Sequence, residues 1–178
     1  VNFQAAGDEI SDHEIASFLY SLLFAGHETT TTLISNTLRE LLANDVYTTV
    51  TDDPSLIPGA IDEVLRVSGS IVAWRRYAEK DGVIDGVAIP KGSKILLLMG
   101  SANRDPEMFP DPDLFDITRA NARNHLSFGF GIHYCIGNLL GKLQTKIAVE
   151  EITKKLPGLK LKPGVDIQFG DNLSFRVP

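Results

Sequence analysis

The segment Phe128-Gly129-Phe130-Gly131-Ile132-His133-Tyr134-Cys135-Ile136-Gly137 sets a single cysteine among glycines at the point where a helical pattern begins. Glycine lets the backbone take left-handed or bulged conformations and lets a flat ligand come close. Free backbone N–H groups and the positive end of a helix dipole lie near the sulfur, and both favour a thiolate that binds metal. The ordinary reading of a lone cysteine in such a place is a buried apolar residue in a tight turn. A nucleophilic cysteine with a histidine base is a sharper rival, but His133 is too close along the chain to act as that base. Cys135 is the only cysteine, which excludes an internal disulfide and a zinc site built on several thiolates.

Beyond the loop, Leu139, Leu140, Leu143, Ile147, Ala148, Ile152 and Leu156 recur at helical spacing until Pro157-Gly158 stops them. Leu159, Leu161, Ile167 and Phe175 in the tail suit short strands. Before the loop, residues 103–126 carry prolines at 106, 110 and 112, yet Met108, Phe109, Leu114, Phe115 and Ile117 supply apolar anchors, which predicts an ordered but irregular segment. Upstream of it the signal is strand: Ile71 to Tyr77, Val83 to Ile89 and Lys94 to Met99. Ile89-Pro90-Lys91-Gly92 reads as a turn that joins the last two as a hairpin.

The amino-terminal third is helical. Ser11-Asp12-His13-Glu14 has capping-box spacing, and apolar residues from Ile15 to Leu42 follow helical periodicity until Asn44-Asp45. The helix would run for about 30 residues, or ~45 Å, a length used mainly through the centre of a domain. A polar loop with Thr48, Thr49, Thr51, Asp52 and Asp53 is expected next. Pro54 and Pro58 then suit the first turns of short helices, the second carrying Ile61, Val64 and Leu65 inward and ending near Ser68-Gly69.

The middle of the long helix is weak. Ala25-Gly26-His27-Glu28-Thr29-Thr30-Thr31-Thr32 contains poor helix formers, each costing some tenths up to ~1 kcal/mol relative to alanine. Either the threonines merely bond back to carbonyls four residues earlier, or the small Ala25 and Gly26 leave room for a ligand and Thr29, bonded to Ala25, opens a notch.

Composition narrows the class. With 178 residues, 43% hydrophobic and 22% charged, the chain reads as a soluble globular protein. Its net charge of −6, with cations scattered along the chain, argues against nucleic acid. No apolar run reaches the ~20 residues that span a bilayer, and Val1-Asn2-Phe3-Gln4 lacks a signal-peptide pattern. A cytoplasmic location is expected.

The cysteine segment matches the cytochrome P-450 haem-binding signature at every fixed position: phenylalanine, glycine, any, glycine, any, histidine, any, cysteine, any, glycine. The chain therefore resembles the C-terminal part of a bacterial, soluble-type cytochrome P-450. The resemblance implies a mainly α fold with small β-sheets, comprising a long central helix, a Glu-x-x-Arg helix, β hairpins, an irregular meander, the cysteine loop and the helix after it. It implies haem b as cofactor, with Cys135 as the axial thiolate whose electron donation favours O–O cleavage. His133 would bond a haem propionate, Phe128 would shield the sulfur, and Gly129 would let the macrocycle approach. The run Ala25-Gly26-x-Glu28-Thr29 matches the family's distal helix, where Glu28 and Thr29 would deliver protons during oxygen activation. Arg76 matches an arginine that binds a propionate, a role suited to a guanidinium, although Arg75 stands beside it.

Glu63 and Arg66, three apart, share a helix face, and alone would be a surface pair worth ~0.2–0.5 kcal/mol. The resemblance instead implies a buried network of Glu63, Arg66 and Arg119 that fixes the loop presenting Cys135. The family domain is more than twice this length, so residues 1–178 match its C-terminal haem-ligating part, and its N-terminal half is absent.

The implied activity is that of a haem-thiolate monooxygenase inserting one atom of O2 into a small organic, apolar substrate. Ile71, Val72 and Ala73 are candidate lining residues. Nothing in the chain resembles a flavin, nicotinamide or iron–sulfur site, so electrons would come from a ferredoxin- or flavodoxin-type donor with its reductase. Arg123, Lys142 and Lys146 are candidate docking residues. Two alternatives stay open: a truncated, catalytically silent fragment or assembly module, and a peroxide-using haem-thiolate enzyme.

Overall fold

In the computed structural model, which describes residues 4–5, 8–164, 167–170 and 172–176, helices carry the core and three small antiparallel sheets flank it. Strands β1 (Gln4–Ala5) and β2 (Asp8–Glu9) pair just before the first helix. Ser11 then caps α1 (Asp12–Ala43): its hydroxyl accepts the Glu14 N–H at 3.3 Å, and Glu14 Oε2 accepts the Ser11 N–H at 2.9 Å. These 32 residues span ~48 Å. Only the second half is packed. Thr32, Leu33, Asn36, Thr37 and Leu41 are buried, whereas Phe18, Leu19, Leu22 and Leu23 in the first half stand exposed.

The polar loop expected after Asn44-Asp45 is instead helix α2 (Tyr47–Asp52). Tyr47 and Val50, three apart, are both buried, and Tyr47 Oη donates to the Leu156 carbonyl at 2.9 Å. Tertiary anchoring through two side chains outweighs the local polarity of the threonines and aspartates.

A 3-10 turn (Pro54–Leu56) leads into α3 (Ile57–Ser68). Ile61, Val64 and Leu65 point inward as expected, but so do Glu63, Arg66, Val67 and Ser68, so α3 is enclosed on nearly every side. It packs with the second half of α1 and with the last helix. Leu33, Leu41, Val50, Ile57, Ile61, Val64, Ile117 and Val149 meet there in one core cluster.

The chain leaves α3 through Gly69, where a Cβ would lie 2.6 Å from Ser127 Oγ and 2.8 Å from the Leu65 carbonyl oxygen. One contact is main chain and the other is held by hydrogen bonds, so neither gives way cheaply. Gly69→Ala is expected to destabilise by ~1–3 kcal/mol through overpacking, read as a lower urea midpoint at unchanged m-value.

The sheet region differs in its pairing from expectation. Strand β3 (Trp74–Tyr77) pairs with β6 (Lys94–Leu97), and β4 (Gly82–Ile84) pairs with β5 (Val87–Ile89). The expected single strand Val83–Ile89 is thus a hairpin, folded at Asp85 (φ 47°) and Gly86 (φ 77°), two positive-φ residues of the kind that suit a two-residue hairpin turn. The Pro90-Lys91-Gly92 turn does connect β5 to β6, but these strands do not pair: Gly92 N–H donates back to the Ala78 carbonyl at 2.7 Å. Ile71 lies outside β3 and makes an isolated bridge to Phe175, and Met99 opens the short helix α4 (Met99–Ala102). That bridge is the extent of strand pairing in the tail among the described residues.

The last helix, α5 (Asn138–Lys155), lies where the periodicity placed it, with several of its leucines turned outward. Leu139, Leu140, Leu143 and Ile147 are more than half exposed, while Thr145, Val149 and Thr153 are buried. The two threonine hydroxyls donate within the helix, to the Gly141 and Val149 carbonyls at 2.8 and 2.9 Å. With their polar atoms satisfied in this way, they pack as small β-branched residues.

Candidate functional site: the cysteine loop

Two glycines with positive φ, Gly129 (75°) and Gly131 (69°), shape the loop, and a 3-10 turn spans Gly131–His133. The Cys135 N–H donates to the Phe128 carbonyl at 2.9 Å, and Asn138 Nδ2 donates to the Cys135 carbonyl at 2.7 Å. Both bonds hold the main chain around the sulfur, three residues before α5 begins. Cys135 is half-buried. Around it Phe130, Ile132 and Ile136 are 86%, 97% and 96% exposed, an apolar rim open to solvent, and His133 is exposed beside them. The Phe128 ring meets Tyr134 edge-on at 6.5 Å.

The loop is tied to α3 from behind. Ser127 Oγ donates to the Leu65 carbonyl at 2.5 Å and accepts from Asn103 Nδ2 at 2.9 Å, while Asn103 Oδ1 accepts the Leu126 N–H at 2.7 Å. Arg66 donates through Nε and Nη2 to the two oxygens of Glu63 at 2.8 and 2.7 Å. Its remaining donors reach the carbonyls of Asn103, Pro112 and Leu114. Arg119 joins from the far end of the irregular segment, with Nε 3.2 Å from Glu63 Oε1 and other donors on the carbonyls of Pro110, Asp111 and Leu114. Thr118 donates through its side chain and its backbone N–H to Asp116, holding that carboxyl below the usual range and setting the turn before Arg119.

One buried group here was not singled out from the sequence. His125 is 9% exposed; its Nδ1 accepts the Ser127 N–H at 3.2 Å, and its Nε2 lies 3.9 Å from Asp62 Oδ1. Lys142 of α5 sits 2.6 Å from the same Asp62 oxygen. Burial is the main cause that brings the imidazole from 6.5 down to about 4; Asp62 opposes it and Lys142 adds to it. The unfolded chain therefore binds this proton between pH 6.5 and about 4 while the folded chain does not. Stability is complete above pH 6.5 and is lost as pH falls toward 4, by an amount on the order of 3 kcal/mol. Urea unfolding at pH 7 and pH 4.5 checks this: His125→Gln is expected to flatten the dependence. The only sequence signal was a histidine immediately before the loop; Asp62 and Lys142 carry none until α3 and α5 meet.

On α1, Thr29 Oγ1 donates to the Ala25 carbonyl at 2.6 Å, and Ser70 Oγ donates to the Thr29 carbonyl at 2.7 Å. Ala25, Gly26 and Glu28 are exposed, and the space a Cβ would fill at Gly26 is open. The helix crosses α5 one residue later, where a Cβ on Gly141 would come 3.7 Å from Thr30 Oγ1. Arg76 is half-buried on β3 with Nη1 on the Arg75 carbonyl at 2.9 Å, and Arg75 is exposed. Of the candidate docking cations, Lys142 is engaged by Asp62 and Lys146 by Glu150, while Arg123 is exposed. Ala73 is buried, and Ile71 and Val72 line a cavity of about 350 Å³ with Phe169 and Phe175.

The loop offers a metal one sulfur. Among the described residues no three His, Cys, Asp or Glu side chains gather as a metal site. A single protein donor suffices only when a macrocycle brings the other donors, and glycines with an apolar rim suit a flat apolar group. The residues fit haem.

The sequence profile of the cytochrome P450 family matches residues 55–169. The chain belongs to the cytochrome P450 family. It is 42% identical over 163 residues to cytochrome P450 107B1 of Saccharopolyspora erythraea, covering 90% of this chain and 40% of that protein. It is 40% identical over 174 residues to the cytochrome P450 monooxygenase PikC of Streptomyces venezuelae, covering 97% and 41%. Among solved structures, cytochrome P450 CREJ in complex with (4-ethylphenyl) dihydrogen phosphate superposes with a TM-score of 0.92 at 64% identity, covering 97% of this chain and 43% of that one. The chain thus spans about two fifths of the length of these P450s. Like them it is mainly helical with small sheets, and none of its described helices is long and apolar enough to cross a membrane.

Proposed function

We propose that residues 1–178 are the C-terminal, haem-ligating part of one P450 monooxygenase domain, with Cys135 Sγ as the axial ligand of haem b. The observation that supports this most is the half-buried, solitary sulfur, held by main-chain bonds to Phe128 and Asn138 at the foot of α5. When bound, haem supplies the electron-transfer and dioxygen-activating chemistry by which one oxygen atom enters a substrate and the other leaves as water.

The chain's own residues do the rest. Phe128 shields the sulfur from water, Gly129 admits the macrocycle, and His133 and Arg76 turn donors toward the propionates. Ala25 and Gly26 leave space on the opposite face. Thr29, donating to Ala25, keeps its oxygen lone pairs available to accept a proton-bearing group, and Glu28 beside it relays protons from solvent.

The remaining half of the domain, in the same or another chain, would cover Phe18, Leu19, Leu22 and Leu23 of α1 and the leucines of α5, an apolar surface too large for a monomer to leave bare. Electrons come from a ferredoxin- or flavodoxin-type donor with its reductase, in the cytoplasm. Because a protein 64% identical over this region binds (4-ethylphenyl) dihydrogen phosphate, an alkylphenyl phosphate is the substrate class to test first.

The test is a reduced-CO difference spectrum of the purified chain, beside the same spectrum and a turnover assay on 4-ethylphenyl phosphate with the full protein. A thiolate-type Soret band and electron-driven product support the proposal; no haem uptake supports the silent fragment. Thr29→Ala is expected to lower product formed per electron by up to ~10²-fold. Unchanged coupling, with peroxide sustaining turnover, would favour the peroxide-using alternative.

A further inference from the structure

The cluster of His125, Asp62 and Lys142 joins three elements at one buried point directly behind the cysteine loop. His125 stands just before the loop, Asp62 lies on α3 and Lys142 on α5. Every ring atom that can bond has a defined neighbour. Nδ1 accepts the Ser127 N–H at 3.2 Å, so the ring proton resides on Nε2, which faces Asp62 Oδ1 at 3.9 Å. The ring centroid lies 5.5 Å from that of Phe128, with the two planes tilted at 58°. Phe128 in turn provides the carbonyl that receives the Cys135 N–H at 2.9 Å. The path from the imidazole to the sulfur-bearing residue therefore runs through two contacts, each with a fixed geometry.

Ser127 makes this path sensitive to the ring's charge. Its N–H is held by the imidazole, while its hydroxyl clamps the loop to the Leu65 carbonyl at 2.5 Å. A ring carrying two protons has no lone pair at Nδ1, so the Ser127 N–H would face an N–H donor and lose its partner. The charged groups facing His125 are Asp62 from α3 and Lys142 from α5. Lys142 sits 2.6 Å from the Asp62 oxygen, so its charge works against the attraction of that carboxylate for a protonated ring, and burial outweighs what remains.

We propose that His125 is a positioning residue for Cys135: as a neutral imidazole it holds Ser127 and Phe128 in place, and a second proton on the ring releases the loop and detaches the thiolate. The inference rests on the reading of Cys135 as the haem ligand. It goes further by assigning the pH limit of that ligation to a group ten residues away, with Asp62 and Lys142 adjusting where the limit falls.

The experiment is a pH titration of the ferrous–CO Soret band in the haem-loaded full protein, beside the wild type, His125→Gln, Lys142→Met and Cys135→Ser. In the wild type the thiolate-type band is expected to give way as pH falls from 6.5 toward 4. Glutamine accepts the Ser127 N–H but does not take up a proton in this range, so His125→Gln should move the midpoint down by about one pH unit or more. Lys142→Met, a change at a partly exposed side chain, frees Asp62 to attract a protonated His125 and should move the midpoint up. If His125→Gln fails to fold, the Lys142→Met shift still decides. A midpoint that either folded variant leaves where the wild type has it overturns the inference. Absence of a thiolate-type band in the wild type at every pH, or its survival in Cys135→Ser, would instead overturn the ligand assignment.

Discussion

Arg66→Met is expected to cost ~3–5 kcal/mol, the penalty for leaving a buried charge without its partner. Arg66 is 1% exposed and Glu63 0%. The guanidinium has five N–H donors, and five acceptors receive them: the two Glu63 oxygens and the carbonyls of Asn103, Pro112 and Leu114. Methionine matches the volume of the stem but supplies no donor. Glu63 would keep only Arg119 and the Asp116 N–H, and three carbonyls would lose a bond in the interior. Against the 5–15 kcal/mol that typically holds a domain, such a loss leaves little margin, and a large drop in the urea midpoint is expected. Arg66→Lys should recover only part of it, because an ammonium cannot fork across both carboxylate oxygens. A midpoint within the error of the wild type would mean that the network is structurally idle.

Cys135→Ser is expected to abolish the thiolate-type Soret band completely while leaving the fold intact. The bonds that shape the loop use the main chain of residue 135, namely its N–H to Phe128 and its carbonyl from Asn138. A hydroxyl occupies nearly the same volume as the thiol, so the expected change in thermal midpoint is small. Residues 1–178 contain no second cysteine, so no other sulfur of this part of the domain can take over as thiolate. The comparison thus separates ligation from folding: spectrum lost with unfolding unchanged is the expected pair of results. A retained thiolate-type band would remove Cys135 from the site.

What the sequence disclosed and what it hid follow one physical division. Local signals were readable: the Ser11–Glu14 capping box, the extent of α1, the stop at Pro157-Gly158, and the inward Ile61, Val64 and Leu65. Signals that depend on a partner were not. Helical periodicity located α5, but which face meets the core depends on the shape of α1 and α3, and threonines that bond back into their own helix fit there better than leucines. The threonine-rich run at 48–51 looked like a loop because the weight of Tyr47 and Val50 is felt only once Leu156 is nearby. At the site, the Glu63–Arg66 spacing was visible and its burial was not. Asp62 and His125 lie 63 residues apart, and nothing along the chain announces that they meet.

The two arginines of that network also determine how residues 110–114 hold their conformation. Arg66 and Arg119 together hold the carbonyls of Asn103, Pro110, Asp111, Pro112 and Leu114, and every one of these contacts is with the main chain. Any amino acid presents a carbonyl. The path of 110–114 is therefore held by side chains outside those five residues: substitutions there that keep the backbone path should pass almost unnoticed, while the sensitive positions flank them, at the two arginines, at buried Phe109 and Ile117, and at Asn103, whose side chain bonds Ser127 and Leu126.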